Sequence, residues 1–129
     1  MEIRKIVIAG AGTMGYSMAE IFAQLEYQVT IYDLKEEALM LAQKHIKDNI
    51  QTLVDEHEIT VQKAQSIINS LSYTTQKDCF QDCDLVVESI IENVDIKKSF
   101  YQDISQIVKE DTILATNTSG ISINDLASS

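Results

Sequence analysis

The stretch "KIVIAGAGTMGYSMAEIF" (residues 5–22) sets three glycines, Gly10, Gly12 and Gly15, at the spacing G-x-G-x-x-G. A β-branched apolar run precedes them and a run with helical periodicity follows, so the triplet falls where a strand turns into a helix. Each glycine then has its own use: Gly10 makes the tight turn, Gly12 lets the backbone approach a pyrophosphate, and Gly15 lets the helix pack on the strand. The pyrophosphate would lie against the N–H groups and positive dipole end of that helix. Gly10, Ala11, Gly12, Thr13, Met14 and Gly15 are therefore the candidate phosphate-binding turn.

Glycines at this spacing also serve plain turns, and the surroundings decide between the two. A second strand, "YQVTIYD", ends at Asp33, about the 20 residues downstream where a dinucleotide site needs an acid. Its carboxylate can accept hydrogen bonds from the adenosine ribose hydroxyls and would oppose a 2′-phosphate, which favours NAD over NADP. Lys35, two residues on, tempers that preference. Asp33 is equally suited to cap the helix at "LKEEAL".

Outward from this unit, strand and helix signals keep alternating. Met14, Met18, Ile21, Phe22 and Leu25 suggest the apolar face of the first helix. Ala38, Leu41, Ala42, Ile46, Ile50, Leu53 and Val54 follow the helical period over residues 35–54, and Val61, Ala64, Ile67, Ile68 and Leu71 make a further stripe. "DEHEI" between them reads as the turn of a helical hairpin. "LSYTT", "DLVVESI" and "DTILATN" read as strands three to five. Asp95 is placed to cap a helix with the face Ile96, Phe100, Ile104, Ile107 and Val108. This alternation predicts an α/β fold of the Rossmann type, a doubly wound parallel sheet with a helical hairpin inserted after the second strand. Near the end, Ser122 and Asp125 resemble a capping box that opens another helix, as in a segment taken from a longer chain.

Composition limits the rest. The 129 residues suit one domain, and 45% apolar with 23% charged residues is ordinary globular usage. Twenty acids against ten Lys and Arg give a net charge of −10, which repels nucleic acid and anionic membranes. No apolar run approaches the roughly 20 residues of a membrane span, and the strand starting at Ile3 leaves no space for a presequence. Cys79 and Cys83 have no second pair or nearby His to complete a metal set, so they read as reduced thiols of a cytoplasmic protein.

Three stretches, "VIAGAGTMG", "DCDLVVESIIENVDIKK" and "TILATNTSGISINDLAS", together resemble the 3-hydroxyacyl-CoA dehydrogenase family, most closely its 3-hydroxybutyryl-CoA branch. The likeness runs along nearly the whole chain, residues 1–129 standing for the NAD-binding domain, and the last two stretches are the more specific. The family's E-x-x-x-E is matched by Glu88 and Glu92, and its following lysine by Lys97. From the residues alone, Glu92 and Lys97 are an exposed acid and base flanking a helix start; the resemblance implies that they lie beside the nicotinamide half of the cofactor. The family's S-N-T-S is matched by Thr116, Asn117, Thr118 and Ser119. Asn117, at the end of a parallel strand, points to the ligand crevice, and Ser119 is implied to reach the substrate's reacting oxygen. Thr116 and Gly120 stand where serine is usual.

The resemblance implies oxidation of a 3-hydroxyacyl-CoA thioester by hydride transfer to NAD, with dimers formed through a C-terminal substrate domain not among these residues. The family's proton-transferring histidine and its glutamate also fall beyond Ser129, so this segment alone is expected to be inactive. The hairpin departs from the family too. Asp55, Glu56 and Glu58 would oppose the phosphates of coenzyme A, which leaves Lys44, Lys47 and Asn49 as better contacts. A freestanding NAD-binding or sensing module is the alternative function. A hydroxyisobutyrate or phosphogluconate dehydrogenase is a third, against which the long helical excursion and "ATNTS" both count.

Overall fold

The computed structural model describes residues 2–90 and 94–116. Its strands are β1 (Lys5–Ala9), β2 (Gln28–Tyr32), β3 (Leu71–Thr74), β4 (Leu85–Glu88) and β5 (Ile113–Thr116). They form one sheet in the order β3-β2-β1-β4-β5, and every neighbouring pair is parallel. The doubly wound parallel sheet expected from the sequence is thus present. Parallel strands need long crossovers, supplied here by α1 (Thr13–Gln24), the hairpin of α2 (Glu36–Asp55) and α3 (Val61–Asn69), and α4 (Val94–Ser105). A short 3-10 turn at Lys77–Phe80 precedes β4.

Both faces of the sheet are covered, which is why β1 is apolar at successive positions rather than at alternate ones. Ile6 and Ile8 face the core beneath α1, α2 and α3, with Ala19, Ala23, Ile31, Ile46 and Ile67. Val7 and Ala9 face the opposite core, with Phe80, Phe100, Tyr101 and Ile104. Helix α3 is capped by Thr60, whose Oγ1 accepts the Lys63 N–H at 3.0 Å.

The faces expected for α2, α3 and α4 are largely the buried ones, with single exceptions, but α1 is turned from the face the sequence suggests. In α1 the buried residues are Gly15, Ala19 and Ala23, whereas Met14, Ile21 and Leu25 are exposed. The cause lies at Gly15: a Cβ there would collide with the carbonyl oxygen of Gly10, so the helix meets the sheet through its small residues. In α2, Leu39 is buried and Leu41 exposed; Val61 of α3 and Ile96 of α4 are also exposed. Asp95 is no cap either, since α4 begins at Val94 and Asp95 lies in its first turn. The Ser122–Asp125 capping box lies outside the described residues.

The amino ends of β1 and β4 are clamped by Asp84. Its Oδ2 accepts the N–H groups of Arg4 and Lys5 at 2.9 and 3.0 Å, and its Oδ1 pairs with Lys109 Nζ at 2.8 Å. The Lys109 contact first, then the two backbone N–H groups, hold this carboxyl well below the usual carboxylate range. A depressed folded-state value stabilises above the unfolded one, near 3.8, and that stabilisation is lost as the pH falls below it. Asp84→Asn should therefore lower the thermal midpoint at pH 7 and flatten its decline in acid. Melting curves from pH 7 to 2.5 check this, and an unchanged midpoint at pH 7 would contradict it.

Candidate cofactor-binding site

The glycine turn follows β1, Asp33 follows β2, and Glu88, paired with Lys97, closes β4, all at the carboxyl ends of neighbouring strands. Gly10 follows β1 directly and has φ +116°, a conformation that L side chains rarely adopt. Its N–H donates to Tyr32 O at 2.7 Å, and a Cβ on it would collide with the carbonyl of Ser89. Packing thus accounts for both Gly10 and Gly15. Gly12 differs from both. Its φ of −71° suits any residue, and a Cβ built on it meets no heavy atom within 4 Å. The fold itself therefore makes no demand for glycine at this position.

The open face at position 12 is the start of α1. Gly12 is the helix N-cap and offers no side chain to the first-turn N–H groups, and no acid occupies that turn. Gly12, Thr13 and Met14 are exposed, while Ala11 is buried. An anion placed over this turn would meet main-chain donors and a favourable helix dipole.

Asp33 follows β2 and is fixed at both carboxylate oxygens. Oδ2 accepts the Ala11 N–H at 2.9 Å and Oδ1 accepts the Lys35 N–H at 2.9 Å. Asp33 is not the helix cap the sequence suggested, since the N-cap of α2 is Lys35; it supports the approach to the helix through the Lys35 N–H. Each oxygen keeps lone-pair capacity for a ribose hydroxyl. Lys35 itself is exposed beside it.

Lys97 departs from the residue-level expectation of an exposed base. It lies in the first turn of α4 with 1% of its side chain exposed, and its Nζ is 3.2 Å from Oε1 of Glu88, which is fully buried. Glu88 Oε2 accepts the Ile90 N–H at 2.6 Å. Breaking such a buried pair by removing one partner typically costs about 3–5 kcal/mol. Glu88, quoted in the E-x-x-x-E pattern but absent from the candidate site, is the residue that sequence reading missed; its signal was an acid closing an apolar strand. Glu92, Asn117 and Ser119 lie outside the described residues.

Other titratable groups stand apart. Burial pushes the Cys79 thiol up to about 12 and the Cys83 thiol to about 11, which keeps both protonated and weakly nucleophilic at neutral pH. No group of three His, Cys, Asp or Glu among the described residues could hold a metal ion. On the hairpin, Lys44, Lys47 and Asn49 are exposed along α2, and Asp55, Glu56 and Glu58 are exposed at its turn. No helix among the described residues is long and apolar enough to cross a membrane.

Comparison with known proteins agrees with this geometry. The sequence model of the family described as "3-hydroxyacyl-CoA dehydrogenase, NAD binding domain" matches residues 5–129. A probable 3-hydroxybutyryl-CoA dehydrogenase of Deinococcus radiodurans is 37% identical over 123 residues, which are 95% of this chain and 44% of that protein. The crystal structure of 3-hydroxybutyryl-CoA dehydrogenase from Escherichia coli superimposes with a TM-score of 0.94 at 30% identity, covering 99% of this chain and 27% of that one. The (S)-3-hydroxybutyryl-CoA dehydrogenase of Ralstonia eutropha gives 0.91 at 31% identity, over 98% of this chain and 45% of its own. The chain belongs to the 3-hydroxyacyl-CoA dehydrogenase family, and its cofactor is NAD. It spans less than half the length of each of these three relatives.

Proposed function

We propose that this chain is the cofactor-binding part of an enzyme that interconverts 3-hydroxyacyl-CoA and 3-ketoacyl-CoA. The observation that carries the reading is the unneeded glycine at position 12, exposed on the turn that Asp33 braces through Ala11. The similarity to 3-hydroxybutyryl-CoA dehydrogenases supports an acyl-CoA thioester as substrate. Free thiols at Cys79 and Cys83 support a cytoplasmic setting. When bound, NAD takes up the hydride that leaves C3 of the hydroxyacyl group. The chain's own part is to hold and orient: the N–H groups at the start of α1, beyond the Gly10 and Ala11 N–H groups already bonded to Tyr32 and Asp33, take the pyrophosphate, and Asp33 takes the adenosine ribose. Lys97, Glu92 and Asn117 border the nicotinamide half, and Ser119 donates a hydrogen bond to the substrate oxygen.

Calorimetric titration with NADH and NADPH tests the cofactor assignment. A charge-assisted hydrogen bond is worth roughly 1.5–3 kcal/mol, so exchanging ribose hydroxyls on Asp33 for a phosphate should weaken binding at least about tenfold. NADPH binding as tightly as NADH would overturn the role of Asp33.

A further inference from the structure

The place of the Glu88–Lys97 pair in the sheet says more than its burial. Glu88 is the last residue of β4 and is in register with Ala9, the residue before the glycine turn. In the order β3-β2-β1-β4-β5 the connections reverse between β1 and β4, and the carboxyl ends at such a reversal bound the crevice where open α/β sheets take ligands. At that point a carboxylate and an ammonium, 0% and 1% exposed, face each other at 3.2 Å. Replacing a buried ion pair by an apolar pair of similar volume often leaves a fold as stable or more so. Stability therefore gives no reason for charges here.

The surrounding contacts tie the pair to the turn. Glu88 Oε2 accepts the Ile90 N–H at 2.6 Å, and the Ser89 N–H donates to Ala9 O at 2.7 Å. The Ser89 carbonyl occupies the space that a side chain on Gly10 would need. One carboxylate thus fixes the main chain at 89–90, which backs the glycine turn, and through Lys97 the first turn of α4. A dinucleotide crosses the reversal point with its adenosine ribose on the β2 side, at Asp33, so its other half falls on the β4 side.

We propose that Glu88 is a positioning residue for the nicotinamide half of NAD: its buried carboxylate sets the Lys97 ammonium and the 89–90 main chain, while the glycine turn and Asp33 hold the adenosine half independently. The proposal rests on the NAD assignment above. In Glu88→Gln, the amide oxygen can serve the Lys97 ammonium or the Ile90 N–H but the amide nitrogen cannot accept from either, so one contact is lost.

The test compares NADH with ADP-ribose, which lacks the nicotinamide, on the unaltered chain, on Glu88→Gln and on Glu88→Asp, with thermal midpoints measured alongside. Glu88→Gln should weaken NADH at least about tenfold, leave ADP-ribose within about twofold, and reduce the nicotinamide fluorescence gained on binding. Glu88→Asp, which keeps the charge but shortens its reach, should fall between, and carries the same comparison if the glutamine variant does not fold. Unchanged NADH affinity, or equal weakening of NADH and ADP-ribose as a purely structural role requires, would overturn the proposal. ADP-ribose failing to bind the unaltered chain would overturn the NAD assignment itself, and the proposal with it.

Discussion

Gly12→Val should leave the protein folded and remove NADH binding. Space for the valine side chain exists, because a Cβ at position 12 meets no heavy atom within 4 Å and the φ of −71° is open to every residue. The cost to the helix is confined to the N-cap, where a β-branched residue is less favourable than glycine by roughly 1 kcal/mol. The same side chain stands over the first-turn N–H groups of α1, where the pyrophosphate must come to within hydrogen-bond distance. Displacing it by even one ångström forfeits several main-chain contacts together, so the loss should exceed about a hundredfold. Gly15→Val is the informative contrast. Its Cβ collides with the Gly10 carbonyl, so it should fail in folding rather than in binding. Circular dichroism with fluorescence titration separates the two. A Gly12→Val protein that is folded and still binds NADH like the parent would refute the phosphate-binding role of this turn.

That contrast also shows which features could be read from the residues. The doubly wound parallel sheet follows from short β-branched runs alternating with helical stripes. The place of Asp33 at the end of the second strand was legible too. The rotation of α1 was not: hydrophobic patterning gives weight to Met14, Ile21 and Leu25, whereas the contact is made by Gly15, Ala19 and Ala23, small residues whose value is close approach. The burial of Lys97 was hidden for a related reason. A charged residue four positions into a helix reads as solvated, and only the register of Glu88 beside Ala9 reveals the partner that lets it be buried. The brace between Ala11 and Asp33 was hidden because its donor is a main-chain N–H, which no side-chain pattern records.

Incubated with a 3-ketoacyl-CoA and NADH, these 129 residues as a separate polypeptide should hold the cofactor yet show no turnover. Reduction of a ketone by hydride needs a proton delivered to the oxygen, and a positioned acid typically contributes about 10² to 10⁴ in rate. The sequence holds two histidines, and the fold takes both away from the strand ends. His45 is exposed on α2, its ring stacked on Tyr16 at 5.1 Å between centroids and 6° between planes. His57 is in the turn between α2 and α3 with φ +61°. A neutral serine hydroxyl is by itself a poor proton source at neutral pH. Holding the thioester against the nicotinamide, which can supply about 7–11 kcal/mol, also needs a second wall to the crevice. The relatives carry more than half their length beyond what this chain covers, and that length is where such a wall and such an acid can reside. The decisive assay follows NADH absorbance for the polypeptide alone and after mixing with the remaining portion of the Deinococcus radiodurans relative, produced separately. Turnover only on mixing would support this division of labour, whereas turnover by the polypeptide alone would show that the proton comes from within these residues and would refute it.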